Sequence, residues 1–371
     1  MEKVKLGDVT INLDSKRKPL NNQDRKKISV KKLYPYCGAN KIMDYVDEYI
    51  FDEEIICIAE DGGKWGKNQP CSYIMNERCW VNNHVHVLKC NEKIDINYLK
   101  YWLNFNDLNY LITGAIVRKL TQKALCNIDI ELPDIKKQIS IAKKLDKVQE
   151  IIDLRKKQIE ELDELIKSQF VEMFQSGNYP KEELGKLCDV RDGTHDSPKY
   201  IEESEYRFIT SKNIINNEID FSYAKYISKK DYDKFNIRSR VNYGDILMPM
   251  IGTIGKPMIV NIPDAEIDFA IKNVALIKFL DNPQVTNIYI KYLLDSDYFE
   301  NAILQNKRGG TQKFIALSDI RKMQIEVPPI ELQNQFAEIV KQIDKQKFIL
   351  EKSLKETEEL QESLMNRYFG E

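Results

Sequence analysis

The densest chemistry in the sequence is basic. Residues 15–32, SKRKPLNNQDRKKISVKK, carry eight cationic side chains, among them Lys16, Arg17, Lys18, Arg25, Lys26 and Lys27, with only Asp24 against them. Pro, Asn and Gln interrupt the run, so it reads as a loop. Such a cluster is either a solvated face or a set of phosphate contacts. A weaker patch holds Arg238 and Arg240 beside Lys225, Lys229, Lys230 and Lys234, opposed by Asp231 and Asp233. Three further segments offer forked or amide donors. GGKWGKNQ supplies Lys64, Trp65, Lys67 and Asn68. RDGTHDSPKY supplies Arg191, Thr194, His195 and Lys199. KRGGTQK supplies Lys307, Arg308, Gln312 and Lys313. Arg118, Lys119, Lys212, Asn213, Thr253 and Lys256 complete the candidates. Side chains of these types bond base edges bidentately or fix register through phosphates, and both uses stay open at this level.

Catalytic constellations are missing by the same reading. Gly252–Lys256 is too short for a GxxxxGK[ST] phosphate loop, and no GxGxxG opens a helix. No NPPY-like tetrapeptide of an amino-methyltransferase occurs, and Pro263-Asp264 has no acidic-x-Lys partner. His84 and His86 alternate on a strand without a third metal ligand nearby, so no metal site is expected. The seven cysteines form no CxxC pair, which favours reduced thiols and a cytoplasmic location. The opening MEKVKLGDV has no apolar signal core, and no apolar run reaches a membrane-spanning length. A formal net charge of -2 excludes a polybasic protein, although local patches can still bind nucleic acid.

These groups must be positioned by a duplicated chain. IELPDIKKQISIAKKLDKVQEIIDL from Ile130 matches IEVPPIELQNQFAEIVKQIDKQKFIL from Ile325 at an offset of 195. Pro133 falls on Pro328, Gln138 on Gln333 and Ala142 on Ala337. Upstream, Lys5-Leu6-Gly7 matches Glu183-Leu184-Gly185 more weakly, and EDGGKWGK matches MIGTIGKP. Each strong block predicts one long helix that starts after its prolines, with apolar residues spaced three and four apart. Neither helix can bury that stripe alone, so the two should pair antiparallel. Glu54–Ile58, Val85–Leu88, Asp245–Met248 and Val274–Ile277 read as strands, and Ile96–Phe105 and Asn287–Leu294 as short helices. At 371 residues, two or three domains are expected. The reading is α+β: mixed α/β domains at 1–132 and 178–327, and long helical segments at 133–177 and 328–371.

The duplicated I-E-[LV]-P…Q blocks, the GGTQKFIALSDI lead-in, DGTHDSPKY and GDILMPMIGTIGK together resemble the specificity subunits of type I restriction–modification systems. The resemblance spans essentially the whole chain. It implies that each mixed domain is a target recognition domain reading one part of a bipartite, asymmetric duplex DNA site. The helices would separate the readers as a coiled coil and dock two methylase subunits. S-adenosylmethionine, ATP and Mg would belong to methylase and restriction/translocase partners, with no cofactor and no catalysis in this chain. Two alternatives stay open: the equivalent subunit of a related enzyme that cuts outside its site, and a coiled-coil adaptor without DNA contact.

Overall fold

The computed structural model describes residues 2–175, 177–215, 217–251, 255–296, 299 and 314–370. It resolves into two compact units, Met1–Lys157 with Glu351–Glu371, and Gln158–Leu350. The division falls inside both long helices, so each unit owns part of each helix.

The long helices run over Ile135–Phe170, closed by a π turn at Val171–Gln175, and over Ile330–Phe369. In the first unit Gln149 accepts from Gln361 at 2.8 Å, and Arg155 donates to the Ser353 carbonyl at 2.6 Å and to the Thr357 hydroxyl. In the second, Lys347 pairs with Asp163 at 2.6 Å, and the Phe170 ring meets Phe336 at 5.5 Å. Numbers rise on one helix as they fall on the other, so the helices pair antiparallel within each unit. The predicted seam is inward: Leu145, Val148, Ile152 and Ile166 are buried, as are Val340 and Ile343.

Each unit repeats one topology. The first carries a four-stranded antiparallel sheet ordered Thr10–Asn12, Val85–Cys90, Ile55–Ala59, Ser72–Met75. A second sheet joins Ile42–Val46 to Tyr34–Cys37, which runs parallel to Trp80–Val81. The second unit matches this with Cys188–Asp192, Val274–Phe279, Ile246–Pro249 and Met258–Ile259. Its smaller sheet pairs Arg207–Thr210 in parallel with Phe269–Lys272. The short helices form over Ile96–Phe105 and Asn287–Leu294, N-capped by Asp95 and Thr286.

The repeated residues tie each mixed domain to its helix. Gln138 accepts from the Asp95 N–H at 3.0 Å and donates to the Lys93 and Pro133 carbonyls at 3.0 and 2.9 Å. Gln333 accepts from the Thr286 N–H at 2.8 Å and donates to the Gln284 and Pro328 carbonyls at 3.0 and 2.8 Å. Both glutamines are buried. The terminal strands close the same joint, Glu2–Lys5 on Asp129–Leu132 and Lys181–Glu183 on Gln324–Glu326. At Gly7 and Gly185 the chain packs closely: a Cβ would stand 3.1 Å from the Cys126 and Arg321 carbonyl oxygens, respectively.

Candidate nucleic-acid interface

Residues 15–32 are not the open loop expected. Asp14–Lys16 forms a 3-10 turn, and Asn21 caps a short helix over Asn22–Lys27 by accepting from the Gln23 and Asp24 N–H groups. The cations then divide. Arg17 turns inward: it bonds Glu60 Oε2 at 2.5 Å and the Val85 carbonyl at 2.6 Å. Arg25 is half-buried over the Tyr36 ring and pairs with Asp44 at 3.3 Å. Lys16 pairs with Glu53 at 3.1 Å and Lys27 with Asp24 at 2.8 Å, both at the surface. Lys18 and Lys26 are exposed.

GGKWGKNQ is largely structural. Trp65 is buried, and its indole N–H donates to the Ala59 carbonyl at 3.1 Å. Asn68 makes a left-handed turn at φ 58°, and its N–H donates to the Phe105 carbonyl. Lys67 covers the Phe105 ring at 5.0 Å and reaches Asn366 at 3.3 Å. Lys64 alone of the four candidates points out without a partner among the described residues. Arg118 bonds Asn109 at 2.8 Å, and Lys119 pairs with Glu60 at 2.6 Å.

His84 and His86 do not share a face. His84 precedes the strand and meets Asp61 at 2.8 Å near the surface, whereas His86 is buried. Against expectation two carboxylates reach His86. Asp14 lies 2.6 Å from its Nδ1, and Glu60 completes the one group of metal-type ligands among the described residues. Arg17 and Lys119 already occupy the Glu60 oxygens, so the protein supplies the compensating charge. Burial pushes Asp14 and Glu60 up, but hydrogen bonds from His86 to Asp14, and from Arg17 and Lys119 to Glu60, outweigh it and hold both low.

The second unit assembles a more open donor set. Strand Cys188–Asp192 ends on a buried carboxylate. Asp192 takes His195 Nε2 on one oxygen at 2.8 Å and Arg238 on the other. The far side of the imidazole meets Asn273 Oδ1 at 3.0 Å. His195 and Arg238 have side chains 66% and 65% exposed, so a buried acid aims two outward groups. Arg191 is held by Asp189 at 2.5 Å and by the Arg238 carbonyl. Lys199, Lys212, Arg240 and Lys256 are exposed, with no ion-pair partner among the described residues. Two candidates are structural instead. Asn213 is buried, accepting from Thr210 and donating to the Asp220 carbonyl. Thr194 accepts from the Asp196 N–H to close its turn. Thr253, Lys307, Arg308, Gln312 and Lys313 lie outside the described residues.

The duplicated domain-and-helix architecture has a counterpart among known proteins. The family described as the type I restriction modification DNA specificity domain matches residues 1–164 and again residues 178–362. The chain belongs to that family. A putative type I restriction enzyme specificity subunit of Haemophilus influenzae is 27% identical over 361 residues, 90% of this chain and 85% of that protein. The MjaVIII specificity subunit of Methanocaldococcus jannaschii is 25% identical over 368 residues, 90% and 84% of the two chains. Among solved structures, the S subunit of a type I system from M. genitalium shares the fold with a TM-score of 0.60 at 14% identity, covering 98% of this chain and 94% of that one. A second, from work on complex assembly and conformational transition of the type I R-M system, aligns with a TM-score of 0.56 at 17% identity, covering 99% and 97%. Within this specificity-family chain, the residues that sequence missed are Asp192 and Asn273. Asn273 lies 78 positions from the His195 it orients, and no local signal joins them.

Proposed function

We propose that the chain is the DNA-sequence-reading subunit of a type I restriction–modification complex. The observation that carries this is the family match to both halves of a chain whose two units repeat one sheet topology and one helix joint. Each unit reads one part of a bipartite, asymmetric target. In the second unit the reading group is built on Asp192, which orients His195 and Arg238, with Lys199, Lys212, Arg240 and Lys256 as phosphate contacts. In the first unit the contacts are Lys16, Lys18, Lys26, Lys27, Lys64 and Arg118, while Arg17, Trp65 and Asn68 serve the fold.

The partners are two methylase subunits, with restriction/translocase subunits completing the complex. S-adenosylmethionine, ATP and Mg belong to those partners, and this chain performs no catalysis. No helix among the described residues is long and apolar enough to cross a membrane, and the complex is assigned to the cytoplasm. The test is to express the chain with its cognate methylase and map methylated adenines genome-wide. A single bipartite motif with an unspecified gap is the expected result. Methylation without a split motif, or methyl transfer by the chain alone, would show the reading to be wrong.

A further inference from the structure

The second unit carries a group suited to base edges, whereas the contacts assigned in the first unit are all cations. Repeat-related positions show where the difference arises. The paired terminal strands align Lys5 with Glu183, and the same offset of 178 sets Asp14 on Asp192 and Arg17 on His195. The acid is kept but its use is reversed. Asp14 gives one oxygen to His86 at 2.6 Å and the other to the Val87 N–H at 2.8 Å. Arg17 lies inward on Glu60.

A different imidazole stands beside this cluster. His84 immediately precedes strand Val85–Cys90, and at the offset of 189 it falls on Asn273, which precedes Val274–Phe279 and bonds His195. Its backbone is fixed on both sides. The His84 N–H donates to the Asn82 side chain at 2.8 Å, and its carbonyl accepts from the Glu60 N–H at 3.0 Å. The side chain is 51% exposed. The two Asp61 oxygens lie 2.8 and 2.9 Å from Nδ1, and Nε2 has no partner among the described residues. Each unit thus holds one exposed imidazole on a carboxylate at 2.8 Å, from different elements and through different ring nitrogens.

The acceptor decides the chemistry. A carboxylate can only accept, so the proton between the two groups sits on His84 Nδ1. The neutral ring then carries a lone pair at Nε2. That nitrogen accepts from an amino group and has nothing to donate to a phosphate or a keto oxygen. In the major groove the amino groups are adenine N6 and cytosine N4. An amino group and a keto oxygen exchange places when a base pair is inverted, so such a nitrogen tells a pair from its inverse.

We propose that His84 is a base-reading residue of the first unit, with Asp61 as its positioning residue, and that it specifies a base bearing an exocyclic amine. This rests on the reading of the chain as a DNA-reading subunit. Across the strand bridge from Asp61 stands exposed Lys119, and three residues on stands exposed Lys64. These cations attract the phosphates, which leaves the uncharged nitrogen to discriminate.

The test co-expresses the full chain with its cognate methylase and maps methylated adenines genome-wide for three variants, each checked for co-purification with the methylase. Asp192→Asn marks the part of the split motif that the second unit reads. His84→Ala should relax one position in the other part. Sites with that base pair inverted, which the wild-type complex rejects, should gain about tenfold in methylation. Asp61→Asn keeps the imidazole but offers it an amide that either donates or accepts. Both ring tautomers then become available, and the same position should admit the inverted pair. Methylation that falls evenly over all sites with the motif unchanged would make His84 a phosphate or fold contact and overturn the proposal. So would relaxation in the part marked by Asp192→Asn, or an Asp61→Asn complex as selective as wild type. A wild-type complex without a split motif would instead remove the specificity-subunit reading itself.

Discussion

Asp192 sets the direction of two exposed groups from one buried acid. Its two oxygens are divided between His195 and Arg238, so neither exposed group needs a substrate to set its direction. Asp192→Asn keeps the size but replaces one acceptor oxygen by an amide and removes the charge. The assembled complex should then lose about tenfold in DNA affinity, roughly 1.4 kcal/mol. Relaxed selectivity should be confined to one part of the methylated motif, as read by methylation mapping. The buried acids of the first unit make a pH prediction. Asp14 and Glu60 titrate below their ordinary range in the folded chain. Groups held low contribute stability above the ordinary carboxylate range, and that contribution is lost as pH falls through their folded values. Arg17→Met removes a main cation from Glu60. Its urea midpoint should therefore drop clearly at pH 7, and the gap from wild type should shrink as the pH falls below the ordinary carboxylate range through the folded values of these acids, where they become protonated in either chain. A constant gap across that range would contradict the role given to Arg17.

At the scale of elements, the periodic segments were legible and the local exceptions were not. Ile96–Phe105 and Asn287–Leu294 form helices at the predicted limits, and both long helices start two residues after a proline or directly after one. Heptad spacing and proline placement act through neighbours along one chain, so sequence carries them. The inward turn of Arg17 and the burial of Trp65 depend on Glu60, Val85 and Ala59, contacts made by tertiary pairing of separate strands. A composition reading counts Arg17 among the phosphate contacts because it cannot see the acid that claims it. The seam has its own exception in Arg155, a half-buried cation bonded across to Ser353 and Thr357. Polar groups at seam positions set register at some cost in stability. Arg155→Ala should lower the stability of the first unit by about 1–2 kcal/mol by removing two part-buried hydrogen bonds across the seam. The double change Arg155→Leu with Thr357→Leu should recover most of it, and chemical denaturation of the three chains measures both effects. Gln138→Ala or Gln333→Ala belongs to the same class. Each removes three buried or part-buried hydrogen bonds and should cost about 1–3 kcal/mol, seen as earlier hydrogen exchange in the short helix whose N-cap residue the glutamine holds.

For the molecule as a whole, duplication predicts where a reader can be exchanged. Sequence alone places the cut at residue 132, before the long helix. The structure argues for a different cut. Gln138 accepts from the Asp95 N–H, and the Tyr101 hydroxyl donates to Asp146, each bond joining the mixed domain to the helix across that cut. A swap of residues 1–132 would thus set a donor's residues against the native Gln138 and Asp146 and weaken the joint unless the donor matches them. Residues 10–90 contain both sheets of the first unit and none of these joint residues. They do contain Asp14, Arg17, Glu60 and His86, so the buried cluster moves as one, except for its links to the Lys119 ammonium and the Leu120 carbonyl. A chimera carrying residues 10–90 of a family member should fold if position 119 is matched to the donor. It should change one part of the bipartite methylation motif, leaving the other part and the gap as they were. The 1–132 swap made with the same donor should express less soluble chain. A chimera that alters both parts of the motif, or neither, would mean that the units do not read independently.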